Sequence, residues 1–159
     1  MRTMLLAAAA MLAVLPPSPA PACACGKLAP GGQRLAGATA IGPGTTIVPI
    51  RLRSGAASPT RPVLVIEGLG YARPPAALYR LRLRGPDGRT APLGVINFYN
   101  ETAPDAPHQP RFAFDAADAL DRIGGEADAL LFEATSGVTG VAPDPEARVR
   151  FERLSLERR

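Results

Sequence analysis

The residues that could do chemistry in this chain are few, and their spacing matches no catalytic arrangement. The only histidine is His108, and the only cysteines are Cys23 and Cys25, close to the amino terminus. No GxSxG, HExxH or phosphate-loop pattern occurs. A metal or redox site at the cysteines would need further ligands, and one histidine supplies few of them. We therefore expect no catalytic residue, no bound metal and no cofactor.

The acidic residues that come closest to a pattern are Asp115, Asp118 and Asp121, in the segment RFAFDAADALDRIGG (111–125). At helical spacing these carboxylates diverge, and no other ligand type accompanies them. Capping is the better interpretation, because aspartate favours the start of a helix. We expect the carboxylate of Asp115 to accept a hydrogen bond from the amide of Asp118.

The same segment predicts one short helix, at about residues 115–123, directly after a strand. Ala119, Leu120 and Ile123 form an apolar stripe, and a glycine at 124 or 125 supplies the C-terminal stop. A helix this short is marginal by itself. We therefore expect Leu120 and Ile123 to close one end of the surrounding sheets.

The amino terminus has the features of a signal peptide. Arg2 precedes an unbroken apolar run from Leu5 to Leu15, which is too short to span a bilayer, and small residues with helix breakers follow. We predict cleavage after residue 22 or 24, and a secreted or periplasmic protein. Cys23 and Cys25 then either belong to a processing junction or carry a lipid, which would be the protein's only membrane attachment.

The basic residues alternate with apolar ones, so they indicate the solvated faces of strands. The formal net charge is +4, and nearly all the basic residues are arginines. Nucleic-acid binding would need a basic cluster interleaved with stacking aromatics. Aromatic residues here are few, and most lie on the apolar sides of strands. We do not expect a nucleic-acid partner.

Short strand signals and turn signals alternate along most of the chain, which predicts an all-β, antiparallel, jelly-roll-like sandwich. Residues 23–44 are rich in Gly, Ala and Pro and predict a flexible tether, and residues 45–159 form the domain. Pro49 predicts an edge strand, GPDG (85–88) a tight turn, and Gly94 a bulge. The strand signals lie at residues 45–53, 62–69, 78–84, 93–99, 111–114, 129–135 and 147–156.

Several segments, in this order, resemble the C-terminal domain of plant and bacterial tyrosinases and polyphenol oxidases. They are VLVIEGLGYARPPAALYRLRLRGPDG, LGVINFY, RFAFDAADALDRIG, ALLFEAT and ARVRFERLSL, and the resemblance covers about residues 45–156. It implies a β-sandwich in which the short helix is structural. In that family, a separate helical domain binds two copper ions through histidines, and the C-terminal domain packs over it and can shield the copper site.

The resemblance leads us to expect a non-catalytic exported module that packs on, or shields, a separately encoded type-3 copper oxidase. The alternative is a self-contained sandwich that binds another protein, a glycan or a surface ligand. Phe98 and Tyr99 end a predicted strand and lead into the proline-rich loop 100–110. Aromatic residues often anchor interfaces, so Phe98, Tyr99 and Tyr71 are the candidate partner-binding residues. Alternation places Val95, Asn97 and Tyr99 on one face and Ile96 and Phe98 on the other.

Overall fold

In a computed structural model of the chain, the structure describes residues 32–55, 60–98, 111–136, 140 and 142–159. These residues form an all-β antiparallel sandwich with one short helix. The elements are β1 (Gln33–Ala36), β2 (Thr39–Ile41), β3 (Thr45–Arg53), β4 (Pro62–Glu67), β5 (Leu78–Arg84), β6 (Thr90–Ile96), β7 (Arg111–Asp115), α1 (Ala117–Arg122), β8 (Glu126–Thr135), a 3₁₀ turn (Pro145–Ala147), β9 (Val149–Phe151) and β10 (Arg153–Arg158).

Two four-stranded sheets form the body of the sandwich. Sheet I has the strand order β1-β10-β4-β7, and sheet II has the order β3-β8-β5-β6. β2 and β9 pair in a small third sheet. The apolar faces of sheets I and II enclose one continuous core, which includes Leu64 and Ile66 of β4 and Leu81 and Phe132 of sheet II.

On β3 and β5, buried residues alternate with more exposed ones, and the buried apolar side chains lie in this core. Val48, Ile50 and Leu52 of β3 are buried, while the residues between them are exposed. β3 is an edge strand of sheet II, as Pro49 predicted, because a proline there removes no ladder hydrogen bond. On β5, Tyr79, Leu81 and Leu83 are likewise buried.

The nearly continuous apolar strand β4 is covered on both sides. Leu64 and Ile66 face the core between the sheets, and Val65 faces the opposite way but is equally buried. Val65 pairs with Ser155 on β10 and with Ala113 on β7.

The prediction of a flexible tether over residues 23–44 is wrong for its second half, because β1 and β2 lie there and pair with strands of the sandwich. β1 pairs with β10, and β2 pairs with β9. Ile41 is buried, and Leu35 packs against the core. These pairings satisfy the backbone hydrogen-bonding groups of a segment whose composition resembles a linker. Within the described residues, the folded unit therefore begins at about Gln33.

The helix is shorter than expected, and its N-terminal hydrogen bond differs. α1 runs from Ala117 to Arg122, and Ala116 occupies the N-cap position. Asp115 is still part of β7, where it pairs with Val63. Its Oδ1 accepts a hydrogen bond from the amide of Ala117 at 2.9 Å, so the expected bond from the amide of Asp118 is wrong.

Both glycines after α1 have positive φ, as the C-terminal stop required. The amide of Gly125 donates to the carbonyl of Leu120 at 2.8 Å. Leu120 and Ile123 are buried in the core, and α1 packs against β5 and β6. The helix therefore closes one end of the sandwich, as expected.

The final predicted strand divides into two strands that belong to different sheets. β9 ends at Phe151, and β10 begins at Arg153 in sheet I. The break at Glu152 divides the strand predicted at 147–156, and the sequence pattern did not predict the change of sheet. Gly68 has a φ of +66°, and a Cβ there would lie 2.5 Å from Cγ of Glu152. The close approach of these two segments therefore requires a glycine.

Candidate functional site

The structure places Phe98 in the core. Its side chain is only 7% exposed, and its ring meets those of Tyr71 and Tyr79 edge-on, with centroid distances of 5.5 and 5.7 Å. Edge-to-face rings of this kind stabilise a fold beyond their buried area. Phe98 therefore packs in the core of the described residues, and its expected role in partner binding stays a prediction.

Tyr71 and Tyr79 lie on either side of this ring and differ in exposure. Tyr79 is buried, and desolvation raises the pKa of its hydroxyl. Tyr71 is half-buried and packs against the core from the segment after β4. Of the three candidate partner-binding residues, Tyr71 is thus placed where part of its side chain is accessible. Tyr99, Cys23, Cys25 and His108 lie outside the described residues.

The end of β6 confirms the expected alternation of faces as far as it is described. Ile96 and Phe98 are buried, whereas Val95 and Asn97 are exposed. Val95 is 50% exposed and lies on the outer face of sheet II. At the other edge of the same face, Ile47 of β3 is 52% exposed.

Between these two aliphatic residues, the outer face of sheet II carries charged and apolar side chains in two neighbouring cross-strand rows. Arg80 pairs across the sheet with Val95 on one side and with Glu133 on the other. Leu131 lies between Ile47 and Arg82 in the neighbouring row. We call the set Ile47, Leu131, Glu133, Arg80, Arg82 and Val95 the sheet II face.

The arginines on the outer side of sheet II differ in their hydrogen-bond and ion-pair partners. Arg82 donates to Thr90 Oγ1 at 2.6 Å, and its Nε is buried without a hydrogen-bond partner. Arg80 is exposed, and no described carboxylate forms an ion pair with it. Arg84, at the margin, makes a bidentate contact with Asp128 at 3.0 and 3.3 Å. Among the residues that the structure describes, the face thus offers a guanidinium without an ion pair, that of Arg80, between two exposed aliphatic side chains.

The outer face of sheet I contrasts with this arrangement, because its charges are paired with one another. Arg111 contacts Glu157 at 2.6 Å and Glu67 at 3.5 Å, and Arg153 contacts Glu67 at 2.5 Å. Arg159 contacts Glu157 at 3.0 Å. The hydrogen bond from Arg111 lowers the pKa of the Glu157 carboxyl. On the outer face of sheet I, each of these charges therefore has a partner of opposite sign, which is not so for Arg80 on sheet II among the described residues.

Ile47 and Val95 were not among the predicted binding residues, although the alternation of inward and outward positions shows that both point outward. Ile47 is the residue before the inward-facing Val48, and Val95 precedes the inward-facing Ile96. A single exposed aliphatic residue is common on a protein surface, but here two of them share one face of a sheet with Leu131. This comparison of neighbours would have identified both residues.

Two further observations bear on the kind of site. Within the described ranges, no group of three or more histidine, cysteine, aspartate or glutamate side chains is arranged to hold a metal ion. Among the helices that the structure describes, none has the length and apolar character needed to cross a membrane. Comparison with the known protein families gave no match, and no curated protein is similar to the chain in sequence.

Proposed function

We propose that this chain is a non-catalytic, exported binding module that packs on a separately encoded type-3 copper oxidase and shields it. The observation that carries the binding role is the sheet II face, where Ile47 and Val95 are each about half exposed and where Arg80, beside Val95, forms no ion pair with a described residue. The candidate partner follows from the resemblance of the strand and helix segments to the tyrosinase C-terminal domain.

Physical features of the sheet II face favour a protein partner. Arginine is enriched at protein interfaces, and the centres of interfaces combine apolar side chains with few charges. The face is built on β-strands, so its backbone is fixed before binding and no loop has to be ordered. Covering Ile47 and Val95 would remove apolar surface from water, which contributes roughly 25 cal/mol for each Å² buried.

The test uses the purified protein and a purified type-3 copper oxidase encoded in the same genome. Ile47→Glu and Val95→Glu each place a charge at one of the two exposed aliphatic positions of the proposed contact. We expect the unsubstituted protein to bind the oxidase and slow its oxidation of an o-diphenol, and we expect both variants to lose these effects while remaining folded.

Ala113→Glu is the matched control. Ala113 is exposed on the outer face of sheet I, so this change introduces the same charge on a strand away from the proposed contact. It should leave oxidase binding unchanged. If the oxidase is neither bound nor slowed by the unsubstituted protein, the shielding role is wrong. A glycan array and capture of other exported proteins then test the alternative of a self-contained binding sandwich.

A further inference from the structure

A cleft opens at one edge of the sandwich, between β1 of sheet I and β3 of sheet II. Each of these strands has a strand partner on one side only within its sheet. The cleft consists of two adjoining hollows of about 400 and 320 Å³, and Gln33 and Arg51 line both. The larger hollow is within the size range of small-ligand sites.

The larger hollow has an apolar floor and a basic rim. Leu52 and Leu156 are buried at its base, and the side chains of Arg51, Arg53 and Arg158 line it. The three guanidinium groups are exposed to water, and they stand together around the mouth of the hollow. The hollow therefore suits a ligand that brings negative charge.

The rim carries more positive than negative charge. Glu126 is the one carboxylate lining the larger hollow, and it contacts Arg53 at 3.0 Å. Arg51 and Arg158 form no ion pair with any described residue. Two positive charges are thus uncompensated in a concave site, a shape that focuses the electrostatic potential and attracts anions.

The spacing of the arginines on β3 indicates what kind of anion fits. Arg51 and Arg53 are two residues apart and exposed, while Leu52 between them is buried. Alternate residues of a strand lie on one side, about 7 Å apart. Alternate carboxylates of an extended peptide have the same separation, and guanidinium groups bind carboxylates with paired hydrogen bonds.

We propose that this cleft binds an extended acidic segment of a protein, with carboxylates on alternate residues that contact Arg51, Arg53 and Arg158. A carboxylate near Arg53 competes with Glu126 for that guanidinium, whereas Arg51 and Arg158 have no ion pair with a described residue to give up. The site lies at the β1–β3 edge and uses none of the residues of the sheet II face. The cleft is therefore a second binding site besides the sheet II face, and its existence does not depend on the proposed shielding of an oxidase.

The test is a titration of the purified protein, labelled with ¹⁵N, with the blocked peptide ETETE. Two control peptides are used: QTQTQ, which lacks the charge, and EETTE, which has the same charge but no glutamates on alternate residues. We expect ETETE to shift the amide signals of residues 51 and 158 and to bind more tightly than both controls. The binding should weaken as salt screens the charges.

Arg51→Gln and Arg158→Gln should each weaken ETETE binding by about fivefold, the upper range for an exposed ion pair. The matched control is Arg150→Gln, which removes an exposed strand arginine outside the cleft that forms no ion pair with a described residue. It should bind ETETE like the unsubstituted protein.

Several outcomes would overturn the proposal. If EETTE binds as tightly as ETETE, the cleft does not require carboxylates on alternate residues. If QTQTQ binds as tightly as ETETE, the arginines of the cleft do not attract the peptide through its charge. If inorganic sulfate or oligogalacturonate displaces the peptide at equal or lower concentration, the cleft takes an isolated anion or an acidic glycan instead. No oxidase is present in this titration, so its result is independent of the shielding test.

Discussion

The ring of Phe114 on β7 lies directly against the backbone of Gly94 on β6, so that a Cβ placed on Gly94 would be 2.5 Å from Cδ1 of Phe114. β7 and β6 are edge strands of sheets I and II, and this contact closes the sandwich at the edge opposite the basic cleft. The pairing of β5 with β6 shifts register between Leu81 and Arg82, opposite Gly94, which confirms the predicted bulge.

This contact predicts the effect of adding one methyl group. Gly94→Ala forces the Phe114 ring or the bulge to move, and such overpacking should lower the free energy of unfolding by about 1–3 kcal/mol. Gly44→Ala is the control, because nothing lies within 4 Å of its added Cβ. Urea denaturation measures both. Equal stability of the two variants would show that the contact between the sheets is loose.

The hydrogen bond from the Ala117 amide to Asp115 predicts a difference between two substitutions. Asp115→Ala removes the acceptor and should cost about 1 kcal/mol of stability. Asp115→Asn keeps an oxygen that can accept this bond and loses only the exposed ion pair with Arg61, which contributes little. Thermal unfolding should rank the asparagine variant close to the original protein. If the asparagine variant were as unstable as the alanine variant, the ion pair with Arg61 and not the hydrogen bond at the helix start would account for the loss.

Leu120 should be the most sensitive position of α1. Its side chain is fully buried in the core, so Leu120→Ala leaves a cavity and should cost about 2–5 kcal/mol. Asp121→Ala alters an exposed neighbour on the same helix and should change stability by less than about 0.5 kcal/mol. Urea midpoints provide the measurement, and a Leu120→Ala variant as stable as the original would mean that α1 does not close the sandwich.

Phe98 should behave as a core residue when it is removed. Phe98→Ala deletes the ring that separates Tyr71 from Tyr79 and should cost about 3–5 kcal/mol. Tyr71→Phe keeps both edge-to-face contacts and should be nearly neutral. Stability therefore has to be measured alongside any binding assay on these positions. A Phe98→Ala variant as stable as the original protein would show that the ring of Phe98 is not needed for core packing.

The ion pairs of Glu157 predict how stability depends on pH. The hydrogen bond from Arg111 lowers the pKa of Glu157 below its ordinary value of 4.5, so the folded state favours the ionised form. This contribution is present above pH 4.5 and is lost as the pH falls through the lowered pKa. Glu157→Gln should therefore flatten the acid side of the stability profile. Glu133→Gln, at a carboxylate without an ion pair to a described residue, should leave that profile unchanged.

The sequence by itself determined the features that depend on neighbouring residues. The inward positions of β3 and β5 follow from the alternation of apolar and polar side chains. The GPDG turn is closed by the Gly88 amide, which donates to the carbonyl of Gly85 at 2.9 Å. Positive φ at Gly124 and Gly125 ends the helix. Each of these features is decided by steric limits within a few bonds, and such limits can be read from local sequence.

Only the tertiary structure decided which distant segments meet. Gln33 pairs with Leu156, and β9 and β10 separate into different sheets although they are almost adjacent in the chain. The pairing of strands relies on backbone hydrogen bonds that every non-proline residue offers alike, so the local pattern does not specify the partner. Arg51 and Arg158 line the same cleft for this reason, because the pairing of β1 with β10 brings the carboxyl-terminal strand beside β3.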